Sequence, residues 1–248
     1  MKLDAAMLMR GLGLAKSEVP VAVILEGSWW QQQRNKLRLS HLQNARELRF
    51  PEMHLGYFQD KPVLYSCAYG APRAVEPVQI FGSLGASLAI QIGSCGAIQP
   101  SVHTGDIVLP TEVKIGEGAS QYYAEDTWAR PSTVWVGKAD QKLKARGFAT
   151  HRGRFITTSA LFAQPPERIT GWEREGYLGI DMETSAVFTV AKVMGMAAVG
   201  IVFAWDELCL GRTFLDEFAP EEKDKQERAN LAVFEVALEL ALEAEIRA

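Results

Sequence analysis

Short apolar runs alternate with longer amphipathic segments along the chain. Eight runs rich in β-branched and aliphatic residues predict strands, at residues 19–25, 63–67, 88–92, 106–110, 134–137, 154–158, 179–181 and 198–204. Apolar residues recur at helical spacing between them and predict helices at residues 30–38, 74–84, 139–146, 184–194 and 221–247. This alternation predicts an α/β fold, a three-layer α/β/α sandwich around a mixed, largely parallel sheet.

The sequence predicts a single domain over residues 1–248. The chain shows no low-complexity linker and no internal repeat, and its 248 residues suffice for one sizeable α/β domain. The glycine and proline clusters at residues 116–118 and 164–166 are typical of loops between elements.

Composition and charge narrow the class of protein. A net charge of −4 does not indicate a nucleic-acid-binding surface. The three cysteines are too few and too scattered for a disulfide framework, which is typical of a reducing compartment. The amino terminus lacks the apolar core of a signal peptide, and no run approaches the length of a membrane span. We therefore expect a cytoplasmic protein that binds neither nucleic acid nor a membrane.

Polar and small residues collect where the predicted strands end. Gly27, Ser94, Thr158, Glu183 and Asp206 all lie at or just beyond such an end. Ligands of open α/β sheets bind beyond the carboxyl ends of the strands. The sequence therefore predicts a ligand site at this edge.

Three of these positions allow two interpretations each. The segment 93–96, Gly-Ser-Cys-Gly, fits a tight turn after a buried strand or an anion cradle of backbone N–H groups and a hydroxyl. Glu183 is consistent with a carboxylate in the first turn of a helix, where it interacts favourably with the helix dipole, or with a carboxylate that accepts hydrogen bonds from a pair of hydroxyl groups. Asp206 fits a helix N-cap, or a general acid whose pKa is raised by an apolar pocket.

Two blocks of sequence resemble the nucleoside phosphorylase superfamily, and in particular its uridine phosphorylase-like branch. The first is residues 90–123, which contain the Gly-Ser-Cys-Gly segment, and the second is residues 179–188, GIDMETSAVF. They occur in the family's order. The resemblance covers approximately residues 10–245, is strong over 88–123 and 150–210, and is weak before residue 75.

The resemblance implies roles for individual residues. Glu183 would bind the 2′ and 3′ hydroxyls of a ribose, Met182 would pack on the sugar, and Ser94 would contact ribose or phosphate. Phe162 would stack on the base, near Cys95 and Gly96. Without the resemblance, Phe162 is interpreted as an aromatic residue that anchors a surface loop. Asp206 would protonate a purine base at N7, whereas Arg168 would bond the carbonyl of a uracil, so the class of base stays open.

The phosphate site departs from the family pattern. Gln31 and Gln91 replace two arginines, Gly11 replaces a histidine that reaches the ribose from a neighbouring subunit, and Pro166 replaces a base-binding glutamine. Gly27 is retained. The cations that remain as phosphate ligands are Arg46, contributed across a subunit interface, and the possible replacements Arg73 and Arg34. Losing two arginine contacts would cost several kcal/mol, at about 1.5–3 kcal/mol for each charge-assisted bond.

Three functions follow from these departures. The first is a phosphorylase that uses phosphate as co-substrate and no cofactor or metal, and releases free base and ribose 1-phosphate. The second is a nucleosidase in which Glu26 polarises water. The third is a nucleoside-binding protein without turnover. Because the resemblance implies that Arg46 completes the site of a neighbouring subunit, we expect a homodimer or a hexamer built as a trimer of dimers.

Overall fold

The computed structural model describes residues 4–247. Within them the strands are β1 Ala22–Gly27, β2 Gln43–Glu47, β3 His54–Phe58, β4 Lys61–Cys67, β5 Leu88–Ala97, β6 Ile107–Gly116, β7 Trp128–Ala129, β8 Thr150–Thr158, β9 Gly179–Asp181 and β10 Ala197–Glu207. The helices are α1 Ala5–Leu12, α2 Gln31–Leu39, α3 Ala71–Leu84, α4 Thr133–Ala145, α5 Pro166–Arg174, α6 Thr184–Val193 and α7 Pro220–Leu242.

The strands form one mixed sheet in which β5 is central. β1 and β10 run parallel to β5 on its two sides, and β4, β3 and β2 continue the sheet outward from β1. On the other side, β10 pairs with β6, β6 with β8, β8 with β9, and β9 again with β5. Five strands therefore close into a ring, a feature that alternating strands and helices do not predict.

Both faces of the sheet are covered by helices. Along β1, Val23 and Leu25 belong to a core cluster with residues of α3 and α6, which we call the α6 face. Ala22 and Ile24 belong to a cluster with residues of α4 and α7, the α7 face. This strict alternation is the period of a strand buried on both sides. The predicted α/β class is confirmed.

Several predicted elements were wrong or incomplete. Residues 134–137 form part of helix α4, because Val136, Ala139 and Leu143 are buried on one helical face and override the strand preference of a β-branched run. Pro166, predicted as part of a loop at residues 164–166, is the first residue of helix α5, where a proline suits the first helical turn. Helix α7 ends at Leu242 rather than at residue 247.

No helix within residues 4–247 combines the length and the apolar character that crossing a membrane requires.

Parallel register brings the predicted strand ends to one edge. Gly27 at the end of β1 lies opposite Gly93 of β5, and Glu26 lies opposite Cys67 of β4. On the other side of β5, Asp206 of β10 lies opposite Gly96. The short antiparallel strand β9 ends at Asp181, from which the chain enters α6 through Glu183.

Candidate functional site

Glu183 lies at the centre of this edge, at the start of α6. Its carboxylate is only 4% exposed. It accepts hydrogen bonds from the backbone N–H of Gly70 (2.6 Å) and of Met182 (3.3 Å). The carboxylate also lies against the backbone of Gly27, where a Cβ atom would overlap it. Three strand ends therefore hold this one carboxylate in place.

The surroundings of Glu183 disfavour its charge. Burial raises its pKa, the nearby charge of Asp181 raises it further, and the two backbone N–H groups oppose the shift only in part. No lysine, arginine or histidine of the described chain forms an ion pair with it. Asp181, by contrast, accepts bonds from Thr157 Oγ1 (2.7 Å), from Thr184 N (3.0 Å) and from the Thr184 hydroxyl. Of the two carboxyl groups, Glu183 is the one that holds a proton most readily.

The close approach of Gly27 to Glu183 gives a testable expectation. The variant Gly27→Ala places a methyl group inside contact distance of the Glu183 carboxylate, so the carboxylate must shift. We expect ligand affinity to fall about ten- to a hundredfold, because a misplaced charge-assisted bond loses about 1.5–3 kcal/mol. Titration calorimetry with a ribonucleoside measures the loss. The matched control is Gly118→Ala, where a Cβ meets no atom within 4 Å. Equal affinity of Gly27→Ala and wild type would contradict this geometry.

The segment 93–96 is part of β5 rather than a turn. Gly93 has φ 147°, and a Cβ there would lie 3.0 Å from the carbonyl oxygen of Gly27. Ser94 is partly exposed, whereas Cys95 is buried, which raises the pKa of its thiol. A Cβ on Gly96 would overlap the Leu208 side chain and would lie 3.2 Å from Asp206 Oδ1. The two glycines therefore permit the close approach of β1 to β5 at Gly93, and of the Leu208 side chain and the Asp206 carboxyl group at Gly96.

Asp206 lies in β10, just after a bulge between Ala204 and Asp206. It is a strand residue and not the N-cap of a helix. The side chain is buried, and burial raises its pKa to about 7, against the opposing effect of backbone N–H groups that include that of Phe214. A carboxyl group with this pKa is able to donate a proton near neutral pH.

Four aromatic side chains form a cluster beside Glu183, and only one of them was predicted to belong to the site. The Trp29 ring lies 5.1 Å from Tyr69, 6.2 Å from Phe162 and 5.7 Å from Phe214, centroid to centroid. The Tyr69 hydroxyl lies 3.0 Å from the sulfur of Met182. Phe162 is 80% exposed, so this aromatic cluster faces solvent on one side.

The sequence contained a signal for the residues that were missed. Trp29 follows the end of β1 by two residues, and Tyr69 follows the end of β4 by two residues. Both are therefore at the edge that carries the site. Phe214 lies beyond β10 in an irregular segment, and no local pattern indicates that its ring reaches Trp29.

Arg168 lies on α5. Its guanidinium donates to the carbonyl oxygen of Ala163 (2.7 Å). It lines a cleft of about 300 Å³ together with Thr158, Ser159, Gln164 and Trp172, among others. Neither Phe162 nor Asp206 lines this cleft.

The predicted phosphate cations are paired with acids. Arg46 on β2 forms an ion pair with Glu18 (2.8 Å), and Arg73 on α3 forms one with Glu76 (2.6 Å). Both guanidinium groups are solvent-exposed, so water screens these pairs and leaves the arginines free to exchange partners.

The two glutamines that stand in place of arginines are held by the backbone. Gln31 donates to the carbonyl oxygen of Cys67 (3.1 Å), and buried Gln91 donates to that of Ile92 (3.0 Å). Gln91 Oε1 is buried and has no hydrogen-bond partner among the described residues. It is an acceptor that a bound O–H or N–H group would satisfy.

Glu26 occupies the opposite side of the sheet from Glu183. Alternation along β1 places it on the α7 face, where Arg38 binds both of its carboxylate oxygens at 2.9 Å and the Tyr65 hydroxyl donates to one of them at 2.8 Å. Arg34 is also close, with 3.4 Å between its Nε and Glu26 Oε1. The hypothesis that Glu26 polarises water at the ribose is therefore not supported by its position, because its oxygens are saturated elsewhere.

Within residues 4–247, no group of three histidine, cysteine or carboxylate side chains is arranged to hold a metal ion.

Comparison with known proteins gives matches along most of the chain. It is 26% identical over 190 residues to a DeoD-type purine nucleoside phosphorylase of Caldanaerobacter subterraneus subsp. tengcongensis, covering 75% of this chain and 79% of the relative. It is 28% identical over 173 residues to a guanosine phosphorylase of Halorubrum lacusprofundi, covering 66% and 70%.

The fold has a counterpart among solved structures. A crystal structure of uridine phosphorylase from Vibrio fischeri ES114, complexed with 6-hydroxy-1-naphthoic acid, superposes with a TM-score of 0.75 at 21% identity and covers 93% of each chain. The profile of the phosphorylase superfamily matches residues 31–241. The resemblance seen in the two sequence blocks is thereby confirmed, and the chain belongs to the phosphorylase superfamily.

Proposed function

We propose that this protein cleaves the N-glycosidic bond of a ribonucleoside by phosphorolysis and releases free base and ribose 1-phosphate. The observation that carries the proposal is the pair of buried carboxyl groups on the two sides of β5. Glu183 is held by Gly27 and Gly70, and Asp206 lies against Gly96. A sugar diol bound at the first places the base toward the second.

Each group has a defined task in the reaction. Glu183 accepts hydrogen bonds from the 2′ and 3′ hydroxyls, and the Met182 side chain, fixed by Tyr69, packs on the sugar. As the C–N bond breaks, its electron pair goes to the base, and Asp206 donates its proton there. The sugar passes through an oxocarbenium-like state, and an oxygen of phosphate forms the new bond to C1′. Phe162 stacks on the base.

In the proposed complex, phosphate is bound mainly by neutral hydrogen-bonding groups and by few positively charged side chains. The Ser94 hydroxyl and the backbone N–H of Gly27 donate to it, and the buried acceptor Gln91 Oε1 receives the hydrogen of a protonated phosphate oxygen. Arg46 of a second copy and Arg73 supply positive charge. Arg46 lies on β2, whose residues are all exposed at the end of the sheet, so we also propose a homodimer or a trimer of dimers.

The geometry favours a purine over a pyrimidine as the base. Asp206 lies near Gly96 at the edge where the base is proposed to bind, whereas Arg168 donates to the carbonyl oxygen of Ala163 and lines a cleft whose lining residues do not include Asp206. The similarity to a purine nucleoside phosphorylase and to a guanosine phosphorylase supports the same choice.

Hydrolysis is the second candidate, and one specific observation favours it. Gln31 and Gln91 carry no charge, so water would bind more easily than a dianion. Since Glu26 is saturated by Arg38 and Tyr65, a hydrolase would need another group to activate that water.

Product analysis decides between these functions. Uridine, inosine and adenosine are incubated with the enzyme, with and without millimolar phosphate. We expect inosine or adenosine to give base and ribose 1-phosphate only when phosphate is present. Free ribose that forms independently of phosphate would establish hydrolysis instead. Failure to release any base, together with a nucleoside-induced rise in melting temperature, would leave a binding protein.

A further inference from the structure

A second cleft, of about 710 Å³, lies between α2 and α7, and we call it the α2–α7 cleft. Its size is within the range of small-molecule sites. Trp30 and Phe214 line this cleft. Trp29, which precedes Trp30 in the sequence, instead packs in the aromatic cluster beside Glu183. Nothing in the proposed reaction uses this cleft.

The floor of the α2–α7 cleft offers one donor and one acceptor without protein partners. Gln226 and Asn230 are both more than nine-tenths buried and lie one turn apart on the same side of α7. Gln226 Nε2 donates to the carbonyl oxygen of Trp205 (2.7 Å), which leaves Oε1 as a free acceptor. Asn230 Oδ1 accepts from Arg38 (2.6 Å), which leaves the Nδ2 amino group as a free donor. The two bonds to the protein fix both amides in orientation.

The lining of the α2–α7 cleft includes aromatic side chains and equal numbers of positively and negatively charged groups. Trp30 is 59% exposed, and no other aromatic ring of the described chain packs on it. Arg34 and Lys223 line the cleft together with Asp216 and Glu227, so two positive and two negative groups give no net charge. Such a cleft suits a flat, uncharged ligand rather than an anion.

We propose that the α2–α7 cleft is a second binding site, for an uncharged planar cyclic amide such as the edge of a purine or pyrimidine base. The ring stacks on Trp30, its N–H donates to Gln226 Oε1, and its C=O accepts from Asn230 Nδ2. Adjacent N–H and C=O groups on one ring match the two amides one to one. Because Phe214 belongs both to this cleft and to the aromatic cluster, an occupant would contact the segment that covers Asp206.

Titration calorimetry with uracil tests the site. We expect Trp30→Ala to weaken uracil binding about tenfold or more, as loss of a stacking partner does, whereas Trp30→Phe keeps most of it. Asn230→Asp keeps the acceptor for Arg38 but removes the free donor, and should reduce binding similarly. 1,3-Dimethyluracil, which lacks N–H donors, should bind much more weakly than uracil. Wild-type affinity in both Trp30→Ala and Asn230→Asp would overturn the proposal.

A base also binds at the active site if the proposed function is right, and Phe162→Ala separates the two sites. Loss of uracil binding in Phe162→Ala alone overturns the second site and leaves the proposed function standing. Loss in Trp30→Ala and Asn230→Asp alone supports the second site, whether or not the nucleoside reaction occurs. Two classes of uracil site, each removed by its own variant, support the second site as well.

Discussion

Glu183→Gln should lower kcat/KM for the preferred ribonucleoside by about 10²- to 10⁴-fold. In the proposed complex two hydroxyl donors favour the charged form of Glu183 over the protonated form of the empty site. Each charge-assisted bond to that carboxylate contributes about 1.5–3 kcal/mol. The sum of about 3–6 kcal/mol corresponds to that range at about 1.4 kcal/mol for each factor of ten. Glutamine has nearly the same shape and fits the same space against Gly27, so the change removes the charge and one acceptor oxygen and leaves the packing unaltered. Steady-state kinetics and calorimetric affinity measure the effect.

The same substitution should stabilise the folded protein at alkaline pH. Burial and Asp181 raise the pKa of Glu183 above its unfolded value. The folded state therefore binds the proton more tightly, and its stability falls as pH rises from the unfolded pKa through the folded one. Glutamine does not ionise, so Glu183→Gln should have a higher melting temperature than wild type at pH 8.5 and nearly the same one at pH 4.

An exposed glutamate provides the control for both measurements. Glu221 lies in the first turn of α7 and is exposed, so Glu221→Gln should change neither kcat/KM nor the pH dependence of the melting temperature. Full activity of Glu183→Gln would show that this carboxylate does not bind the sugar.

The edge that carries the site could be predicted because it depends on local patterns. Apolar runs that end in small or acidic residues placed Gly27, Ser94, Glu183 and Asp206 at strand ends. Parallel pairing of β1, β5 and β10 then brings Gly27, Ser94 and Asp206 together, as the α/β pattern implies. Glu183 reaches the same edge through antiparallel pairing of β9 with β5, which that pattern does not imply. The predicted roles of these residues are proposals that rest on the family resemblance and on burial.

What could not be predicted depends on contacts between distant segments. Phe214 contacts Trp29, and Asn230 contacts Arg38, across about three quarters of the chain length, and neither contact leaves a periodic signal in the sequence. Glu26 is a different case, because local alternation along β1 decides which face of the sheet it occupies. Its place beside Gly27 suggested a site residue, but alternation along the strand sends it to the other face, where Arg38 neutralises it.

Asp206→Asn should lower kcat/KM for purine nucleosides by about 10²- to 10⁴-fold at pH 6, the usual contribution of a positioned general acid. Burial raises the pKa of Asp206 to about 7, so the carboxyl is protonated below that pH and loses its proton above it. The wild-type rate should therefore fall as pH rises through 7. Asparagine does not titrate, so the variant should lose this alkaline decline and become flat with pH.

The leaving group provides the sharpest test of the role of Asp206. When a 4-nitrophenyl riboside is cleaved, 4-nitrophenolate leaves as a stable anion and needs no proton, so wild type and Asp206→Asn should cleave this substrate at similar rates. Asp224→Asn, on the exposed surface of α7, is the matched control and should keep the wild-type pH profile with every substrate. An equal loss of rate for purine and 4-nitrophenyl ribosides in Asp206→Asn would mean that Asp206 positions the substrate and does not donate the proton. Proton donation requires the loss to grow with the basicity of the leaving group, because only a basic group needs the proton when the bond breaks.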